Sequence, residues 1–267
     1  MGKPEDSSAF EMKNPVKILH QATARKSLSI GGIVGLAWDA LCRTPALGRG
    51  AVRRVLLKQV YFTGMESVGA VGAVAFLVGL IIVTQMTSLV GRNETLTVHV
   101  LIWVIVRELG PLLTAIVIIG RSSSAVASEL AAMQVNGEVK SLRRMAISPL
   151  SYLVMPRVLG MTLSSVALTF YFQVVAITAG VLTAALRQEL SLGSEIAEFF
   201  EVIDFADITA SFLKSAVFGV LVAVVSCYHG LRVKTAWTEI PQAASQAVIR
   251  SLLAVFVWDG VITVLVF

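Results

Sequence analysis

Four ionisable side chains sit inside apolar runs of this sequence. Arg107 and Glu108 lie in VLIWVIVRELGPLLTAIVIIG (residues 100–120), Lys214 in SFLKSAVFGVLVAVV and Asp259 in AVFVWDGVITVL. Charges within membrane-length segments are expensive, and where they occur they mark substrate or ion paths, proton relays or helix-bridging ion pairs. Arg107 and Glu108 are adjacent on a helix, so they point about 100° apart and each needs a partner on another element. By sign, Glu108 pairs with Lys214 and Arg107 with Asp259, although the exchanged pairing fits the sequence equally well. Gly110 and Pro111 follow directly. Pro111 has no N–H to continue the ladder and crowds the carbonyl of Arg107, which predicts a kink there. Irregular backbone at such depth is tolerated only against protein or a water-filled cavity. Two readings result: ion pairs that staple helices together, or a polar cavity on a substrate path, the reading that intramembrane charge favours.

The elements that must carry these residues are membrane helices. Of 267 residues, 56% are hydrophobic and 15% charged, and the mean hydropathy is +0.80. That composition excludes a soluble globular domain and predicts an all-α integral membrane protein. Runs of about 20 apolar residues predict five spans, near 68–90, 98–119, 156–186, 208–229 and 246–267. The third is long enough to tilt or protrude. Ten basic residues against four acidic ones in 1–60, and five against two in 120–157, contrast with loop 187–207. That loop sets Arg187 against Glu189, Glu195, Glu198, Glu201, Asp204 and Asp207. The positive-inside rule then places the amino terminus in the cytoplasm and the carboxyl terminus outside. In that frame a rise of 1.5 Å per residue puts Arg107, Glu108, Lys214 and Asp259 roughly 9–15 Å below the outer surface, in one layer.

Residues 1–60 form a basic amino-terminal segment, and 61–267 the membrane domain. Within the first, LAWDALCRTPALGRGAVRRVLLKQV suits a helix lying in the cytoplasmic interface, anchored by Trp38 and snorkelling basic side chains, better than a soluble cap. After the second span, Gly120–Ala132 is rich in Ser, Ala and Gly, which let helices approach closely. Gly137–Met145 reads as a short basic amphipathic helix stopped before Pro149, fit to dock a cytoplasmic partner or to meet lipid headgroups through Arg143 and Arg144. The isoelectric point near 9.4 reports topology here, not nucleic-acid binding. Cys42 and Cys227 read as free thiols. His20, His99 and His229 have no metal-ligand or triad spacing, His229 reads as an interface residue, and Met133 and Met145 read as packing residues, so neither a metal site nor an enzyme is expected.

RELGPLLTAIVIIGRSSSAVASELAAM, followed by YLVMPRVLG, resembles the MlaE-like permease family, the membrane subunits of ABC transporters associated with MCE domains. KSAVFGVLVAVVSCYHGLR and AVIRSLLAVFVWDGVITVL resemble that family's last two spans, so the likeness covers roughly 60–267. It implies a homodimeric permease in the bacterial inner membrane, with cytoplasmic ABC ATPase subunits and a periplasmic MCE-domain partner, moving phospholipid between membranes. It also implies that Arg107, Glu108, Lys214 and Asp259 belong to the family pattern. Segment 136–149, with Glu138, Leu142, Arg143 and Met145, is by the same resemblance the ATPase coupling segment. Family members show Glu-Gln and then Ala-Leu-Glu where this chain has Gly137-Glu138 and Ser141-Leu142-Arg143. No G-x-x-x-x-G-K-[ST] phosphate loop occurs in the sequence, so ATP is expected to be used by a partner subunit, with no cofactor in this chain. An ion-coupled secondary carrier, with the same charges as a proton relay, is an alternative; five spans do not divide into the repeated halves usual in such carriers. A non-transporting scaffold for the complex is the third.

Overall fold

The computed structural model describes residues 50–90, 103–188, 205–234 and 236–266. Helix α1 (Gly50–Thr63) passes through a single 3-10 turn (Met65–Ser67) into α2 (Val68–Val90). Helix α3 runs from Trp103 to Val135, and the short α4 spans Glu138–Arg144. A π-helical turn (Leu150–Val154) leads into α5 (Met155–Gln188), which is followed by α6 (Phe205–Arg232) and α7 (Glu239–Val266). No strand occurs among the described residues. Five helical runs are long and apolar enough to cross a membrane: Arg53–Met86, Trp103–Val135, Leu150–Ala184, Ala206–Arg232 and Glu239–Leu265. In lipid this is expected, because only a helix satisfies all its backbone donors and acceptors within one segment.

The five-span expectation holds, with one difference at the ends. The second helical run does not stop near 119; it continues through the Ser/Ala/Gly-rich stretch to Val135. Residues 50–60, expected to be the end of an interfacial helix, form α1 and lead directly into the first span. The remainder of that helix, with Trp38, lies outside the described residues, as do His20, Cys42, His99 and most of the acidic loop from 189 onward. Helix α5, with 34 residues, is about 51 Å long at 1.5 Å per residue, well beyond a hydrocarbon core of about 30 Å.

Helix α5 is the centre of the bundle and packs against α1, α2 and α6, while α7 closes over α6 and α3. Small residues set the spacing. A Cβ at Gly79 would fall 2.1 Å from the carbonyl oxygen of Ala176, so α2 and α5 touch backbone to backbone. Gly230 does the same for α6 against Ala127 of α3. Hydroxyls then lock the register. Ser123 of α3 lies 2.8 Å from Ser226 of α6 and 3.5 Å from Ser251 of α7, and Ser215 of α6 accepts from or donates to Ser165 and Thr169 of α5. Lipid supplies no hydrophobic drive between helices, so close packing and such hydrogen bonds hold them together.

Helix α4 is set apart by two left-handed residues. Gly137 (φ 76°) precedes it and Ala146 (φ 59°) follows it. The N–H groups of Ala146 and Ile147 return to the carbonyls of Arg143 and Leu142 at 3.1 and 3.0 Å, which caps the helix end in the Schellman pattern with alanine where glycine is usual. The left-handed Cβ costs roughly 1–2 kcal/mol.

The packing yields a comparison along one helix. Gly79→Val should abolish the monodisperse, detergent-soluble form of the protein on size exclusion. Gly69→Val, on the same helix with open space at its Cβ, should elute as the parent does; equal behaviour of the two would contradict the backbone contact.

Candidate functional site: a charged layer across three helices

The charged residues converge, with Lys214 at the centre. Its side chain is 2% exposed. Nζ donates to Glu108 Oε2 at 2.8 Å and to Thr263 Oγ1 at 3.1 Å. It also lies 2.7 Å from Asp259 Oδ1, an ion pair without hydrogen-bond geometry. Thr263 in turn donates to Glu108 Oε1 at 3.1 Å. One ammonium from α6 therefore joins α3 and α7. An isolated ammonium in a low-dielectric interior is prohibitive, and two carboxylates with a hydroxyl answer that cost with near-complete coordination.

Arg107 departs from the expected partner. It does not pair with Asp259; its Nη2 lies 2.5 Å from Asp207 Oδ1, and its guanidinium stands 5.9 Å from the Trp103 ring centroid. Asp207, which composition groups with the outer acidic loop, belongs to the first turn of α6. The reason is geometric. Arg107 and Glu108 diverge on their helix, and once Glu108 faces Lys214 and Asp259, Arg107 faces the amino-terminal end of α6. The layer thus holds two cations and three carboxylates, with Lys214 enclosed and Glu108 (33% exposed) and Arg107 (23%) on the open side.

The backbone beneath these charges is irregular in the way Pro111 requires. Residues Trp103–Leu109 form π-helical turns, and the α-helix resumes at Gly110. Pro111 has no N–H for either carbonyl that would normally receive it, Arg107 in an α register or Val106 in a π register. Side chains from other helices face both oxygens: Gln173 Nε2 of α5 donates to Val106 O at 3.3 Å, and Lys214 Nζ approaches Arg107 O at 3.5 Å. Gln173 also donates to Ser211 Oγ at 2.6 Å. Gly110 makes room for this arrangement, since a Cβ there would meet Gln173 Cγ at 3.2 Å and Ile105 O at 2.8 Å. The predicted interruption is therefore a π-to-α transition held by a buried amide. A second π-helical turn follows at Ile119–Ser123.

Glu138, Leu142, Arg143 and Met145 lie on or beside α4, apart from the layer. Glu138 and Arg143 are exposed and Met145 is 61% exposed, while Leu142 packs against the core and anchors α4. His229 is buried, with its ring edge-to-face on Tyr228 at 5.3 Å, and Cys227 is a buried free thiol. No cluster of three metal-ligating side chains occurs among the described residues. Asp207, Thr263, Gln173 and Ser211 are the site residues that the sequence reading passed over. Three of them carried a signal: Asp207, Ser211 and Lys214 recur at helical spacing on one face, and Thr263 follows Asp259 by four.

The family model described as "Permease MlaE" matches residues 56–265. Among similar proteins, a probable ABC transporter permease of Rickettsia typhi is 27% identical, covering 80% of this chain and 83% of its own. The chloroplast protein TRIGALACTOSYLDIACYLGLYCEROL 1 of Arabidopsis thaliana is 31% identical over 79% of this chain and 61% of its own. The intermembrane phospholipid transport system permease protein MlaE of Haemophilus influenzae is 25% identical over 83% and 87%.

The revised pairing is testable by double-mutant cycles on stability in detergent. Arg107→Gln and Asp207→Asn should be non-additive by about 1 kcal/mol or more, as partners in contact are. Arg107→Gln and Asp259→Asn should add within about 0.5 kcal/mol. The reverse pattern would restore the pairing expected from sign alone.

Proposed function

Because the chain belongs to the MlaE permease family, we propose that it is the membrane subunit of an ABC transporter that moves phospholipid between the bacterial inner membrane and a periplasmic MCE-domain partner. The observation that carries this reading is the enclosed Lys214 ammonium with Glu108, Asp259 and Thr263 around it, beside a more open Arg107. A phospholipid needs both a polar station and apolar walls. Its phosphate competes with carboxylates for the cations, while its acyl chains lie along Val, Leu and Phe side chains. Contacts from an ammonium to a carboxylate and to a phosphate are both charge-assisted and of similar strength, so exchange of Glu108 for a phosphate at Lys214 is near balance. Near balance is what a transport site requires, because the lipid must leave as well as enter.

Energy comes from a cytoplasmic ABC ATPase, and α4 is the element that meets it. Its two left-handed ends fix its direction, Leu142 fastens it to the bundle, and Glu138, Arg143 and Met145 are left for contact. The basic side of the protein, including 136–149, then faces the cytoplasm, and the charged layer lies in the outer half of the membrane. The functional unit is a homodimer, with residues on the open side of the layer facing the shared interior.

A second reading has specific support in the same geometry. Lys214 links three helices at 2.7–3.1 Å, so the layer could be a staple alone. Lys214→Gln, with Glu108→Gln as a milder companion, separates the two in reconstituted complexes. For a transport site, lipid transfer falls at least tenfold while assembly with the ATPase is retained; parallel loss of both supports the staple. Purified alone, the chain should not hydrolyse ATP above background, and robust hydrolysis would remove the two-subunit division of labour.

A further inference from the structure

At the other end of the bundle lies a cavity of about 300 Å³ that the charged layer does not involve. It opens between α1, α3 and the foot of α5, and its charged lining is Lys58, Glu66, Arg121, Glu129 and Arg157. Its volume is at the lower end of the range for small-molecule sites, about 300–1,000 Å³. Two arginines occupy the two carboxylates. Arg121 donates to both the carboxylate and the backbone carbonyl of Glu66. Arg157, 4% exposed, lies 2.8 Å from Glu129 Oε2 and donates to Leu153 O at 3.3 Å, and its buried Nε has no acceptor. That leaves Lys58. Its ammonium stands 5.6 Å from the Phe62 ring centroid, and no carboxylate pairs with it among the described residues. Three cations against two carboxylates give the lining a surplus of one positive charge.

Position and mouth narrow the occupant. Arg121 follows Arg107 on α3 by 14 residues, roughly 21 Å along the helix axis, so the cavity is near the membrane surface opposite the charged layer. Phe62, an exposed apolar side chain, lines the cavity, and the exposed Met65 lies beside the lining residue Glu66 at the same end of the bundle, with exposed Tyr61 at the same height on α1. Tyr at this level is a typical membrane-interface residue. A polar recess with one surplus cation and a greasy lip, at headgroup height, matches a monoanionic phosphodiester that carries acyl chains.

We propose that this cavity is a binding site for the headgroup of an anionic phospholipid resident in that leaflet, with the phosphodiester on Lys58 and the chains leaving over Phe62 towards Met65. The lipid bridges α1 to the foot of α5 and acts as a fixed ligand, separate from any transported molecule. The site does not depend on the transport reading, since Lys58 is remote from Lys214.

The test is photo-crosslinking of the full chain in nanodiscs, with a benzophenone amino acid in place of Met65. Phosphatidylglycerol should form an adduct that drops about tenfold in the Lys58→Glu variant, the size of one charge-assisted contact. Inorganic phosphate in excess should not displace it, and diacylglycerol, which has chains but no phosphate, should label at the variant's low level. An adduct insensitive to Lys58→Glu, or equal labelling by diacylglycerol, reduces the mouth to ordinary lipid-facing surface and sinks the proposal. Displacement by inorganic phosphate would reassign the cavity to a free anion and overturn it too. The thermal midpoint of Lys58→Glu in lipid-free detergent should match the parent; if that variant does not fold, Lys58→Gln is read in the same assay against the same outcomes.

Discussion

A single buried ammonium organises the middle of this protein. Lys214 is shut away from solvent, so α6 can hold it only if carboxylates arrive from other helices, and they come from Glu108 on α3 and Asp259 on α7. Thr263 closes the ring by accepting from the lysine and donating to Glu108. The requirement is mutual. Asp259 is no more welcome in an apolar bundle than the lysine, and Lys214 stripped of its carboxylates would be an uncompensated buried charge, costing about 3–5 kcal/mol. The relative positions of α3, α6 and α7 at this depth follow from that.

The irregular backbone belongs to the same constraint. Pro111 removes a donor about one turn below Arg107's approach to α6, and the chain has π-helical turns over Trp103–Leu109. Such turns rotate the residues that follow, so they also decide how Arg107 and Glu108 splay. Gln173 then satisfies the freed Val106 carbonyl from a neighbouring helix, which fits only because residue 110 is glycine. Charge, proline, glycine and amide form one arrangement, which α5 joins through Gln173.

The rest of the molecule is built from close approach. Gly79, Gly230 and the serine pairs between α3, α5, α6 and α7 bring backbones together where lipid offers no squeeze. At the basic end a second set of ion pairs, Arg121 with Glu66 and Arg157 with Glu129, surrounds a cavity instead of filling the space. The two ends of the bundle thus treat charge differently: one encloses it, the other presents it.

Residue order alone determined the helical membrane class, the five spans, the irregularity at Gly110-Pro111 and the need of each intramembrane charge for a partner of opposite sign. Those depend on segment length, apolar composition, a missing N–H and sign, all local or nearly so. Sequence could also have exposed Asp207 and Thr263, which share helical faces with Lys214 and Asp259. It could not say that Arg107 would turn to Asp207 while Asp259 joined Lys214, because sign complementarity permits several pairings and only the rotation of each helix about its axis selects one. Nor could it reveal Gln173 beneath Val106 or the recess around Lys58. Those depend on distances between helices far apart in the chain, and such distances exist only once glycine contacts and hydroxyl pairs have set how closely the bundle packs.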